Sequence, residues 1–341
     1  MVDFAQALGM SVPVVAAPMA GGPSTPELVM AAAEAGGLGF LAAGYKTPAQ
    51  LAEQISTVRA ATDRFGVNLF VPNSIAPAPG EFEAYVESLA PIASELGVEL
   101  TTEPRDDDDA WAAKLELLVT DPVPVVSFTF GLAPADVVHR LKAAGTLTVQ
   151  TVTNGEEALQ ARERGVDALV VQGVDAGGHS GTVNPQEPIA EVALPELAQS
   201  ITTQVQLPIF AAGGISTPAD VRAVLGAGAV AAVVGTVLLR CPEAGTSAPH
   251  RAALADPERT ETVMTRAFSG RPARALRNGF TDEFTDSAPL AFPAVHHLTA
   301  PLRKAATATN QTEYINLWAG TGFRHAVAEP AAAVIQRLGG S

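Results

Sequence analysis

The chain is predicted to adopt an α/β fold, a (β/α)8 barrel with an insertion after its third strand and a helical cap at its C-terminus, and three observations predict it. Eight short apolar runs succeed one another before residue 258, at 14–17, 38–42, 66–70, 124–128, 146–150, 168–171, 208–211 and 229–234. Each is continuously apolar rather than alternating, as in a parallel strand covered on both faces. The spacers between them carry helix-start signals. Eight parallel strands with intervening helices favour a closed barrel of the TIM type over an open doubly wound sheet.

The first strand runs into Pro18-Met19-Ala20-Gly21-Gly22, a glycine turn. Thr25-Pro26 then reads as an N-cap and first helical residue, because the hydroxyl accepts an orphan amide and proline has no amide to leave unbonded. The same punctuation recurs at Thr47-Pro48 and Thr217-Pro218. The whole stretch from Ala20 to Pro26 is echoed from Ala212 to Pro218, and each proline is followed ten residues later by a glycine, Gly36 or Gly228. Such an internal repeat marks one strand–turn–helix unit used more than once. A weaker copy is expected to start with a capping box at Thr153 and Glu156 and to pass through Gly165 into the sixth strand.

Two regions depart from the repeat. Residues 72–120 are too long for one crossover, and a helix over Glu81–Leu96 is expected outside the barrel, while Asp106-Asp107-Asp108-Asp109 reads as a solvated loop or helix start. After residue 258 the strand pattern stops, so the barrel is expected to span 1–258 and a helical cap 259–341. Hydrophobic residues make up 47% of the chain and aromatics 5%, which predicts a core of small aliphatic side chains. A formal net charge of −15 argues against nucleic acid and anionic membrane as partners. Lys46, Lys114, Lys142 and Lys304 are the only lysines, so a bound phosphate falls to backbone amides and helix N-termini. Cys241 is alone, which excludes an internal disulfide. Met1-Val2-Asp3-Phe4 carries no basic leader, and the apolar run Ala227–Leu239 is shorter than the ~18 residues of a membrane span. A cytoplasmic monomer or homodimer is expected.

The stretch organising the rest is Val170-Val171-Gln172-Gly173-Val174-Asp175-Ala176-Gly177-Gly178-His179-Ser180-Gly181-Thr182, a buried strand ending in a glycine-rich loop with one histidine. Glycines let the backbone approach a ligand closely and reach positive φ. His179, in the flexible part of that loop, titrates near neutral pH and is expected to point into a site. The loops after the seventh and eighth strands, Gly213-Gly214 and Gly235-Thr236, stand where barrels commonly hold phosphate. Asn68 and Gln172, at the ends of the third and sixth strands, offer carboxamides that both donate and accept.

Ala16-Ala17-Pro18-Met19-Ala20-Gly21, Gly66-Val67-Asn68-Leu69, the element from Gln172 to Gly181 and Ala212-Gly213-Gly214-Ile215 together resemble the nitronate monooxygenase family, formerly called 2-nitropropane dioxygenases. The tail segments Ala267–Arg274 and Leu317-Trp318-Ala319-Gly320 resemble it too, so the resemblance covers most of the chain. It departs at Asp175, where the family usually carries glutamate. The glycine-histidine loop is shared with FMN-dependent enoyl-acyl-carrier-protein reductases and quinone reductases of the same fold.

The resemblance implies a flavoprotein oxidoreductase with noncovalent FMN and no metal. Carried over by motif, Asn68, Gln172, Gly177, Gly178, Gly213, Gly214, Val233, Val234, Gly235 and Thr236 bind FMN, with the backbone around Met19 near the reactive edge and His179 as the catalytic residue. The implied reaction is monooxygenation of an alkyl nitronate by O2, through a flavosemiquinone, to a carbonyl compound and nitrite. His179 removes the α-proton of a neutral nitroalkane, and its cationic form attracts a nitronate. An NAD(P)H-dependent FMN reductase, a non-enzymatic flavin-binding module and a barrel enzyme for another phosphorylated ligand are the alternatives. His139, His250, His296, His297 and His325 read as structural or surface residues, and Arg271 and Arg274 as holding the tail to the barrel.

Overall fold

The computed structural model describes residues 4–340, so the reading of Met1, Val2 and Asp3 lies outside the described residues. After a short helix α1 (Phe4–Ala7), strands and helices alternate as β1 (Val14–Ala16), α2 (Pro26–Glu34), β2 (Leu38–Ala42), α3 (Pro48–Arg59) and β3 (Phe65–Phe70). The insertion adds α4 (Glu81–Leu96) and α5 (Trp111–Thr120). Alternation resumes with β4 (Val125–Thr129), α6 (Ala135–Ala143), β5 (Leu147–Val152), α7 (Gly155–Glu163) and β6 (Ala168–Gln172). A two-residue strand β7 (Gly178–His179) precedes α8 (Leu194–Val205), β8 (Ile209–Ala212), α9 (Pro218–Gly226) and β9 (Ala231–Val234). The remainder forms α10 (Ala248–Ala255), β10 (Thr262–Thr265), β11 (Ala273–Leu276), α11 (Gly279–Phe284), α12 (Ala294–Ala308) and α13 (Ala331–Gly339).

Strands β1 to β6 with β8 and β9 form a closed parallel barrel, shut by the pairing of Val15 with Val233. Both strand faces are apolar because the alternating side chains enter two cores. Val15, Phe40, Val125, Val149, Phe210 and Val233 fill one cluster, while Val14, Leu41, Val67, Val126, Leu169 and Val234 pack among the helices. The three Thr-Pro signals work as expected. Thr25, Thr47 and Thr217 each accept the N3 amide, and the latter two complete capping boxes with Gln50 and Asp220.

Four expectations are corrected. The cap of α7 is Asn154, which accepts from Glu157 N, and not Thr153 with Glu156. The carboxylate that serves Thr153 is Glu157, whose Oε2 accepts from Thr153 N at 2.6 Å and Oγ1 at 2.9 Å. The C-terminal segment is not purely helical, since β10 and β11 pair antiparallel and β11 pairs with β7 in a three-stranded sheet. Nor is it all cap. Helix α13 packs on α2, α9 and β1 and so takes the eighth place in the helical ring. Finally, the acidic run is not merely solvated: Asp106 accepts from Ser74 Oγ at 2.6 Å, Asp107 pairs with His297 at 2.6 Å, and Asp109 pairs with the buried Lys114 at 2.7 Å.

The insertion and the cap share one aromatic-rich core. Phe82 and Tyr85 of α4 are buried with Phe268, Phe280 and Phe284, and Tyr85 Oη donates to Ala267 O at 2.6 Å. A second tie runs through Glu157, 6% exposed, whose other oxygen Oε1 accepts from Val183 N at 2.7 Å and Thr182 Oγ1 at 3.0 Å. It joins the loop after β5 to the segment following His179. Replacing Glu157 by alanine strands the Thr153 and Val183 amides and the Thr153 hydroxyl, and the expected loss of stability is roughly 2–4 kcal/mol. Urea unfolding measures it, and a loss below about 1 kcal/mol would contradict the role given to this carboxylate.

Candidate active site

The inner face of the barrel changes chemistry along the strands. Its lower layers are apolar, whereas two residues further on the inward positions are Asn68, Ser127, Thr151 and Gln172, with Thr129 two residues beyond Ser127. Asn68 Nδ2 donates to Ser127 O (3.3 Å), Ser127 Oγ (2.9 Å) and Thr129 Oγ1 (3.0 Å). Gln172 Nε2 donates to His179 O at 3.2 Å, and its Oε1 accepts from Gly181 N at 2.6 Å. That carboxamide therefore fastens the histidine loop as well as lining the site.

These strand ends open into a cavity of about 430 Å³. It is bordered by every residue singled out from the sequence except Val234: Met19, Asn68, Gln172, Gly177, Gly178, His179, Gly213, Gly214, Val233, Gly235 and Thr236. Strand alternation turns Val233 inward and Val234 outward into the helical layer, where it is 1% exposed. Gly177 is required by the fold itself. A Cβ there would stand 2.4 Å from Gly320 N, so the tail can cross the loop only at a glycine. Thr236 also serves the tail, accepting from Gly320 N at 2.9 Å.

His179 lies on β7 and not in a flexible loop: it pairs with Ala273 while Gly178 pairs with Arg274. Its ring is enclosed by Trp318, Phe130 and Phe292, with centroids 5.2, 5.6 and 6.0 Å away. Nε2 stands 2.8 Å from Ser269 Oγ, and that hydroxyl donates to Arg271 O at 3.2 Å. A hydroxyl committed as donor accepts from the ring, which assigns the proton to Nε2 and leaves Nδ1 as the lone-pair nitrogen. Burial, helped by the nearby Arg271 and Arg303 guanidinium groups, lowers its pKa from 6.5 to about 3. The ring is neutral at pH 7, which corrects the expectation of a cationic His179.

Several wall residues went unrecognised in the sequence. Tyr45, His296, Arg303 and Trp318 line the cavity, with the Tyr45 and His296 rings stacked at 4.1 Å and 5°. His250, read as structural, lines it as well. On α12, His296, Arg303 and Thr307 recur at helical spacing and share one face, a polar stripe that could have been found once that helix was placed. Arg271 and Arg274 hold the tail as expected. Arg271, 0% exposed, donates to the carbonyls of Phe130, Ser180 and Thr182 and lies 4.3 Å over the Phe130 ring, and Arg274 Nε donates to Val174 O at 2.9 Å.

A model of the nitronate monooxygenase family matches residues 4–339. The chain belongs to that family. It is an enzyme of the flavin-dependent oxidoreductase type. A probable nitronate monooxygenase from Bacillus subtilis is 34% identical over 328 residues, 95% of this chain and 94% of that one. Another from Staphylococcus aureus is 33% identical over 337 residues, 98% and 95% of the two chains. Among solved structures, a nitroalkane oxidase from Streptomyces ansochromogenes superimposes with a TM-score of 0.94 at 45% identity, covering 99% of this chain and 97% of that one. Among the described residues, no helix is long and apolar enough to cross a membrane.

For this nitronate monooxygenase family member the buried histidines carry an acid liability. Burial lowers His250 to about 4 and His296 well below 6.5, as it does His179. Each binds a proton more readily once unfolded, so stability is complete above the unfolded pKa and falls as pH drops through 6.5 towards the folded values. Thermal melts between pH 7 and pH 4 are expected to show a falling Tm, with a shallower slope in His179→Asn. An unchanged slope in that variant would place the His179 ring in a solvated setting.

Proposed function

We propose that the chain oxidises alkyl nitronates, and nitroalkanes more slowly, with FMN as cofactor and O2 as co-substrate, releasing a carbonyl compound and nitrite. The residues at the cavity fit FMN. Main chain of Gly213-Gly214 and Gly235-Thr236 borders one end, at the starts of the segments leading to α9 and to the single helical turn Thr236–Leu238. Neutral amides of that kind suit a phosphate where the wall holds no lysine. The carboxamides of Asn68 and Gln172 and the apolar side chains of Met19 and Val233, all lining the cavity, would hold the flavin ring. When bound, the flavin supplies the electron-accepting chemistry.

The observation that carries the reading is the placement of His179 in the cavity wall, fixed by the pairing of β7 with β11. His179 lines the cavity with Nε2 2.8 Å from Ser269 Oγ, and its unprotonated ring is the group placed to accept the α-proton of a nitroalkane; the burial that keeps it neutral also weakens it as a base, so its placement carries the role. The backbone pairing of β7 with β11 fixes the imidazole against the aromatic wall. A nitronate has already lost this proton and needs no base. His179→Asn is therefore expected to lower kcat/KM for nitroethane by roughly 10²–10⁴ while lowering that for ethyl nitronate less than tenfold. Steady-state oxygen uptake with the two substrates measures it, and equal losses on both would reject the base role. In anaerobic stopped flow, the yellow protein is expected to change spectrum on mixing with a nitronate; bleaching by NADH or NADPH with no nitronate response would overturn the reading.

A further inference from the structure

The cavity wall holds more positive charge than its surroundings balance. Among the described residues neither Arg271 nor Arg303 has a carboxylate within ion-pair distance, although the chain carries a net charge of −15. The two guanidinium groups differ in what they can reach. Arg271 is sealed from the cavity, donating to main-chain carbonyls behind the Phe130 ring. Arg303 lines the cavity.

Arg303 is also oriented. Its Nε donates to Thr299 Oγ1 at 3.1 Å and its Nη2 to His296 O at 2.9 Å, both on its own helix α12. Thr299 is itself anchored, donating to Phe268 O at 2.5 Å. These contacts use one side of the fork and leave Nη1 without a partner among the described residues. A carbonyl and a hydroxyl position the guanidinium without neutralising it. The other titratable groups at this wall add no compensating negative charge, since Tyr45 is protonated and His179 and His296 are neutral.

We propose that Arg303 is the residue that selects anionic over neutral substrates, its free Nη1 edge receiving the oxygen atoms of a nitronate held in front of His179. The proposal rests on the nitronate reading given above and adds the residue that recognises the charge. A nitronate shares a full negative charge between two oxygens in one plane, and a guanidinium edge matches that plane with charge-assisted hydrogen bonds. A nitroalkane presents the same two oxygens with no net charge, so it gains less from the same edge. His179 supplies the base for one substrate and Arg303 the counter-charge for the other.

The test uses the flavin-loaded full chain with Arg303→Met and Arg303→Lys. The ratio of kcat/KM for ethyl nitronate to that for nitroethane is expected to fall roughly ten- to hundredfold in Arg303→Met, through KM for the nitronate, with partial recovery in Arg303→Lys. Independently of turnover, isothermal titration with sodium nitrate, a planar oxyanion, is expected to show binding to the parent enzyme that weakens at least tenfold in Arg303→Met. An unchanged substrate ratio, or nitrate binding that ignores the substitution, overturns the proposal. Should Arg303→Met lose its flavin, Arg303→Lys decides: full parental affinity for nitrate together with a parental KM would show that the planar fork has no role. If the parent binds nitrate through Arg303 yet turns over no nitronate, the anion site stands and the nitronate reading falls.

Discussion

The pairing of β7 with β11 is the constraint on which the rest of the site depends. Gly178–His179 leaves the barrel at the end of β6 and is captured by Ala273-Arg274, with Ser180 N donating to Pro272 O at 2.8 Å. A segment with glycines at 177, 178 and 181 has high backbone entropy, and strand pairing removes it. The tail then crosses Gly177, places Trp318 against the imidazole, and is held by Thr236. Barrel and cap meet at one residue. The histidine is a property of both, and neither could position it alone.

Beneath that pairing lies Arg271, a buried cation with no carboxylate in ion-pair contact, with Glu157 acting on it at longer range. It gathers the carbonyls of Phe130, Ser180 and Thr182, which end two different barrel loops, and stacks on Phe130. Burial lowers its pKa to about 9, still above neutrality, so it remains charged at pH 7. Its charge helps to keep His179 neutral. One side chain thus shapes the wall and adds to the burial that keeps the residue beside it neutral.

Most of the barrel was legible because its determinants are local. Continuous apolar runs placed all eight barrel strands to within two residues, and Thr-Pro pairs placed three helix starts, each set by a side chain reaching an amide three residues away. What escaped depends on contacts remote in sequence. Strands β10 and β11 are four residues each, and β7 is two, with its partner more than ninety residues on, so no periodicity announces them. Helix α13 reads like any amphipathic terminal helix, and only packing on α2 and α9 shows that it completes the ring. Within the site, the loop glycines and strand-end amides were visible as motifs, whereas Tyr45, His296 and Arg303 are ordinary residues until the cap folds over the mouth. Even the glycines had a partly different reason: Gly177 is there for the chain that crosses it.

The contrast between a chain of net charge −15 and an uncompensated guanidinium in its cavity bears on how charge can act here. A long-range field from so acidic a protein opposes the approach of an anion, so steering from bulk solvent is not the service this site receives. At physiological ionic strength that field is screened over about 8 Å, whereas charges inside an aromatic-walled cavity are screened far less. Recognition of an anion is therefore confined to the last few ångströms, after it has passed the mouth. There the local charge, fixed by hydrogen bonds within α12 and undiluted by a carboxylate, outweighs the global one. The same arrangement works on product: an anion formed beside Arg303 and released from the cavity meets a surface that repels it.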